Sequence, residues 1–223
     1  IVTSKTTKSE FEALTTKPIA VITNGFDVEN IEKQPLDTKF SLAHIGSFLS
    51  ARNPKLLWES LTELLREIPD FGSHLEIKLI GAVSQEVLDT IAAFGLNSYL
   101  NNLGYVSHAE AIVHQRKSQV LLLIEIDSEE TKSIIPGKLF EYMVSNRPII
   151  AVGPNGSDFA EIITNTNTGV FFDYSEKVKL KNLILDFYNQ YLEGKLQSHG
   201  IGLEKYSRKN LTGQLVQLLT SNN

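Results

Sequence analysis

"IIPGKLFEYMVSNRPIIAVGP", residues 134–154, sets a short amphipathic stretch directly before a run that is apolar on every side. Pro136 and Gly137 open the helical part, Lys138 and Glu141 follow three residues apart, and the run 148–152 reads as a buried strand. Residues three apart share a helix face, so both charges fall on one side of an element whose other positions look like core. Helix followed by buried strand is the repeating unit of an α/β fold.

Spacing alone leaves two readings of those charges. Proline is favoured at the first helical position and an acid in the first turn answers the helix dipole, with no ligand required. Alternatively, the free N–H groups of a helix N-terminus, joined by Lys138, suit a phosphate. Glu141, one turn further, could then accept two hydrogen bonds from the vicinal hydroxyls of a ribose. A cation at a helix N-terminus is mildly unfavourable unless an anion compensates it, which counts toward the second reading.

Working outward, apolar runs and helical patterns take turns. Strands are expected at 19–22, where Asn24–Gly25 supplies a turn, at 40–45, 75–80, 99–106 and 148–152. The run 120–124 is apolar on both faces, as a central parallel strand covered on both sides would be. Leu56, Leu57, Leu61, Leu64 and Leu65 recur at helical spacing, and further helices are expected at 85–94, 109–116, 158–163, 177–192 and 211–219. This order predicts a doubly wound, Rossmann-like parallel sheet with helices on both faces. In such sheets ligands bind outside the carboxyl ends of the strands. Lys138, Glu141 and the Gly46–Ser47 pair all belong there.

The bulk numbers narrow the function classes. The 223 residues suffice for a large domain, and a net charge of −5 offers no basic footprint for nucleic acid. No apolar stretch approaches the length of roughly 18 residues that suggests a membrane span. The chain has no cysteine, so it has neither disulfides nor thiolate metal ligands, which fits the cytoplasm. Its five histidines show no ligand spacing. His44 reads as a hydrogen-bonded core residue and Trp58 as packing, while Ser4, Ser47 and Ser107 lack a Gly–x–Ser–x–Gly elbow. Ile1–Val2–Thr3–Ser4 looks like the tail of a strand whose partners lie outside the chain.

The stretch 136–154 resembles the donor-binding segment of GT-B-fold glycosyltransferases of the family 4 type. There a Gly–Lys–x–Phe–Glu–Tyr run precedes a turn and a strand with proline near its start. "VITNGFD" (21–27) resembles that family's Asn–Gly–x–Asp segment, and "IGSFLSARNPK" (45–55) its first glycine loop. "LGYVSHAEAI" (103–112) is similar to the loop beside the base, "NTGVFFD" (167–173) to a later turn, and "YSRKNLTGQLVQLL" (206–219) to the closing helix. The six pieces keep the family's order and span nearly the whole chain.

The resemblance implies a GT-B C-terminal half: residues 1–17 a remnant of an N-terminal acceptor domain and linker, 18–200 the nucleotide-sugar-binding domain, 201–223 a helix crossing back to the absent domain. It implies a retaining transfer from a nucleotide-diphosphate sugar to an acceptor hydroxyl, with no cofactor and no metal. The setting would be glycan or cell-surface polysaccharide synthesis, in the cytoplasm or at the inner face of the membrane, and this chain alone would bind donor and transfer nothing. Glu141 takes the ribose role, Lys138 a diphosphate or donor-sugar role, and Arg52 that of a second cation, these three forming the catalytic set. Gly46 lets the backbone approach the phosphates, Ser47, Pro136 and Gly137 belong to the donor-binding set, and Tyr105 and Val106 frame the base, with His108 in the same loop. Two positions depart from the family: Ser47 stands where an arginine is usual, and Ser133 where a second glutamate is, with Glu129 and Glu130 nearby. Glu125–Ile126–Asp127 resembles an Asp–x–Asp clamp, but the resemblance of the chain as a whole is to a metal-independent fold. A GT-B-fold nucleotide-sugar epimerase and a non-catalytic nucleotide-binding module remain as alternatives.

Overall fold

A computed structural model describes residues 1–27 and 34–220. The last three positions expected in the closing segment, 221–223, lie outside the described residues. In chain order the elements are α1 (Lys5–Glu12), β1 (Phe40–Ile45), α2 (Lys55–Glu67), α3 (Phe71–His74), β2 (Leu75–Ile80), α4 (Gln85–Ala93), β3 (Leu100–Gly104), α5 (His108–Lys117), β4 (Val120–Ile124), α6 (Lys138–Met143), β5 (Ile149–Val152), α7 (Asp158–Thr166), β6 (Gly169–Phe172), α8 (Lys177–Leu192) and α9 (Arg208–Thr220). The strands form one six-stranded sheet in the order β3-β2-β1-β4-β5-β6, and every pair is parallel. The doubly wound architecture expected from the sequence is the one observed.

Alternation along the strands divides the core in two, because successive side chains point to opposite faces. Phe40, Leu42, Ile77, Leu122 and Ile150 join residues of α2, α4 and α8 on one face. Ala43, Ile45, Leu121, Leu123 and Ala151 join residues of α6 and α7 on the other. β1 and β4 are buried along their whole length, which is why their sequences carry no polar alternation. Trp58 packs fully buried in the first layer and donates its indole N–H to Asn53 Oδ1 at 2.9 Å.

Two expectations fail. The apolar run 19–22 is no strand of the sheet: Val21 forms an isolated bridge with Val2, flanked by Val2 N–H to Ala20 C=O (3.0 Å) and Ile22 N–H to Val2 C=O (2.9 Å). The same bridge gives Val2 a partner inside the chain. Apolar β-formers read identically whether or not a sheet edge is within reach, and here only one residue pair is. The segment that follows is stapled to the start of α9, with Phe26 N–H on Tyr206 C=O (3.1 Å) and Arg208 N–H on Phe26 C=O (2.9 Å). Among the described residues no helix is long and apolar enough to cross a membrane.

The loops after β1 and β2 continue the ladder past the strands. Gly46 N–H bonds Ile80 C=O and Gly81 N–H bonds Gly104 C=O, both at 2.7 Å. Gly81 has φ +119°, and a Cβ there would stand 2.6 Å from the Gly46 carbonyl oxygen. Gly81→Ala should therefore lower the unfolding free energy by roughly 2–4 kcal/mol in a denaturant titration, combining backbone strain and steric overlap. Gly95, at φ +73° with open space around its Cβ position, provides the strain-only control. Gly95→Ala should cost only about 1 kcal/mol; equal losses at the two sites would mean the 46–81 contact is slack.

Candidate functional site

The sheet order reverses between β1 and β4, and the two strands part early. They pair at Leu42↔Val120 and Ala43↔Leu121. In a parallel strand successive residues bond to opposite neighbours. Since the Gly46 N–H goes to β2, the peptide groups of Ile45 face the side where β4 has already diverged. Tyr142 of α6 fills that gap: its hydroxyl accepts from Ile45 N–H at 3.0 Å and donates to Ile45 C=O at 3.3 Å. Burial holds this phenol above its ordinary pKa. The bonds fix α6 to the residue just before Gly46.

In α6, Leu139, Phe140, Tyr142 and Met143 are buried. Lys138 and Glu141 are left on the open face. The helix begins at Lys138, later than the Pro136 opening expected from the sequence. Leu139 N–H bonds Pro136 C=O (3.0 Å) and Phe140 N–H bonds Gly137 C=O (3.3 Å), so Pro136 and Gly137 form the turn leading in.

Lys138 reaches back toward β1. Its Nζ lies 3.3 Å from His44 Nε2, and a Cβ on Gly46 would come within 2.8 Å of it. Gly46 itself has φ +111°, a backbone that glycine alone adopts freely. Burial, then the nearby Arg52 charge, push the Lys138 pKa down to about 8, against the opposing pull of Glu125 and Glu141. His44 is held well below the ordinary histidine value by burial and by the Lys138 and Arg52 charges, so its ring is neutral. It lies flat on Phe48, ring centroids 4.2 Å apart.

Arg52 acts on both Lys138 and His44 but is itself engaged. Its Nε and Nη2 donate to Glu125 Oε1 at 3.1 and 3.0 Å. Glu125 is buried at the end of β4, where Oε1 also accepts the Ile126 N–H at 2.8 Å. Asp127 is exposed and lines a separate cleft with Asp173 and Tyr174, so the two carboxylates of Glu125–Ile126–Asp127 do not share a site.

Glu141 uses both oxygens: Oε1 is 3.1 Å from His108 Nε2, and Oε2 accepts from Gln115 Nε2 at 2.8 Å. A cavity of about 60 Å³ opens beside this carboxylate, bounded also by Phe26, Asp27 and Arg208. The loop before α5 is set by a capping box, Ser107 and Glu110 exchanging side-chain to backbone bonds. That loop carries Tyr105, 90 % exposed, and half-buried Val106. Ser47 and Gly137 are exposed, and Pro136 and Ser133 half-buried. Glu129 pairs with Lys132 at 2.7 Å and Glu130 with Ser128, both within their own loop.

The structure thus brings Gly46 and the Arg52 charge to Lys138 and sets Glu141 one turn along the same helix face. The sequence reading gives none of the groups behind them a place in the site: His44 reads as a hydrogen-bonded core residue, Glu125 as half of an acidic clamp, and Tyr142 and Gln115 are not singled out. Only Tyr142 carried a signal, as an aromatic with a polar tip in a stretch otherwise fit for core.

A scan against protein-family profiles finds no match, and a search of curated protein sequences finds none. Solved structures do match. A point mutant of S. aureus TarM in complex with fondaparinux, alpha-GlcNAc-glycerol and UDP aligns at TM-score 0.67 and 15% identity, over 97% of this chain and 43% of that one. Anabaena HepE in complex with UDP and glucose aligns at TM-score 0.70 and 17% identity, over 99% of this chain and 62% of that one. The lipopolysaccharide outer core galactosyltransferase WaaB aligns at TM-score 0.68 and 15% identity, covering 100% and 61%. The chain has the fold of a GT-B glycosyltransferase-like domain, and it spans less than two thirds of the length of each of these structures.

Tyr142→Phe removes the bridging hydroxyl at nearly constant volume and strands a buried N–H. Chemical denaturation should show a loss of about 1–3 kcal/mol. An unchanged midpoint would mean that water or another group already serves Ile45.

Proposed function

We propose that this chain is the donor-binding domain of a retaining glycosyltransferase of the family 4 type, holding a nucleotide-diphosphate sugar for transfer to an acceptor hydroxyl in glycan or polysaccharide synthesis. The observation that carries it is the open face of α6. A half-buried lysine and a carboxylate sit one turn apart at the switch point of a parallel sheet, where ligands of such folds bind. The neighbours solved with UDP or with UDP and a sugar support the same ligand class.

In this reading the diphosphate lies over Gly46 against Lys138. Charge on the leaving diphosphate is stabilised by Lys138 and, in part, by Arg52, whose charge is shared with Glu125. Ser47 and Ser133 add no charge, so Lys138 carries the larger share. Glu141 takes the ribose hydroxyls: exposed His108 gives way at Oε1 while buried Gln115 keeps Oε2 oriented. Tyr105 and Val106 border the base. Acceptor recognition belongs to the other half of a GT-B cleft, and the retaining outcome rests on the resemblance to family 4.

Thermal-shift measurements with uridine, guanosine and adenosine diphosphates and their sugars test the ligand class. At least one should raise the melting temperature by mass action; no shift with any would overturn the reading. Glu141→Ala should then weaken the stabilising nucleotide by about 1–2 kcal/mol, or five- to thirtyfold, because hydrogen bonds to the ribose replace one to His108. The 2′,3′-dideoxy analogue should lose a similar amount with the intact protein and little more with the variant. Additive losses would place the ribose elsewhere.

A further inference from the structure

His44 is a buried titratable group beside the cleft to which the donor reading assigns no task. Histidine inside a strand covered on both faces carries a polar ring among Phe40, Leu42, Ala43 and Ile45, and the strand's other polar side chain, Ser41, is satisfied by Asp37 and the Gln119 N–H. Desolvating a ring nitrogen without a partner is costly, and His44 Nδ1 is buried with no partner among the described residues. The ring is not free to turn away. It is stacked on Phe48, whose backbone is bonded to Ala82 C=O (2.8 Å) and Ser84 N–H (3.0 Å). The edge that remains presents Nε2 to Lys138 Nζ at 3.3 Å.

An ammonium only donates, so Nε2 must accept and the ring proton must sit on Nδ1. Among the described residues no carboxylate comes within 4 Å of Lys138 Nζ, although Glu125 and Glu141 act on it from further away and Arg52 repels it. The imidazole is therefore the acceptor that holds the head of a flexible four-carbon stem. It uses one of three N–H donors and leaves the other two for an anion over Gly46.

We propose that His44 is a positioning residue: its Nε2 accepts a hydrogen bond from Lys138 and fixes the ammonium beside Gly46, ready for the diphosphate of the donor. This rests on the donor-site reading, but the tether can be tested apart from it. The first test needs no ligand. Nitrogen-15 NMR of the wild-type His44 ring at pH 6.5 should show a protonated Nδ1 and an unprotonated Nε2. A proton on Nε2 would overturn the tether whatever the chain binds.

The second test titrates inorganic pyrophosphate, which has no base or ribose to hold it elsewhere. His44→Phe keeps the stacking ring and removes the acceptor, and should weaken pyrophosphate by about five- to thirtyfold. His44→Gln, whose amide oxygen can accept, should restore most of that affinity. A purely structural histidine would instead cost stability; here the melting temperature of His44→Phe should hold or rise, since an orphaned polar atom is removed. In Lys138→Met the same His44 change should have no further effect on pyrophosphate. Equal binding by wild type and His44→Phe would overturn the proposal, and a wild type that does not bind pyrophosphate at all would overturn the donor reading beneath it.

Discussion

Parallel strands that diverge leave a peptide without a partner, and at Ile45 the Tyr142 hydroxyl supplies both the acceptor and the donor that β4 no longer provides. Everything at the cleft is referred to that contact. It places the first turn of α6 against the loop after β1, so that Lys138 comes to lie beside Gly46 and Glu141 faces α5. The same divergence that costs two backbone bonds opens the crevice in which a ligand can lie. A fold of this order is thus committed to an opening at its switch point, and the Tyr142 hydroxyl ties α6 to the strand that borders it.

The electrostatics of that opening run against stability. Lys138 titrates near 8 in the folded chain and near 10.5 when unfolded, so between those values the unfolded state binds more protons. Folding is penalised by this group below pH 8, and the penalty is relieved as pH rises toward 10.5. A lysine kept in such a place, with a neutral imidazole as its acceptor and Arg52 already committed to Glu125, is a charge in want of an anion. In the proposed reading that arrangement favours ligand binding over stability, as sites often do.

Much of this could be read from the sequence because it depends on local pattern. The run 120–124 declares a covered central strand, and the Leu56–Leu65 spacing declares a helix. Lys138 and Glu141 declare a shared face because they are three residues apart. What stayed hidden depends on contacts between distant positions: Tyr142 with Ile45 across 97 residues, His44 with Lys138 across 94, Arg52 with Glu125 across 73. His44 looked like core because burial erases alternation in β1. Residues 19–22 looked like a strand because β-propensity says nothing about whether a neighbour is in reach. Gly46 stood between the two cases, legible as a turn residue but not as the neighbour of a lysine.

The central claim is that an anion belongs beside Lys138, and the titration of that lysine measures it directly. With carbon-13 at Lys138 Cε, NMR should place its midpoint near 8 in the free chain. Saturation with the nucleoside diphosphate that stabilises the chain should move it upward, because a neighbouring phosphate favours the charged form. A midpoint that stays where it was when the ligand is bound would mean the phosphates lie elsewhere, and the assignment of this cleft would be contradicted.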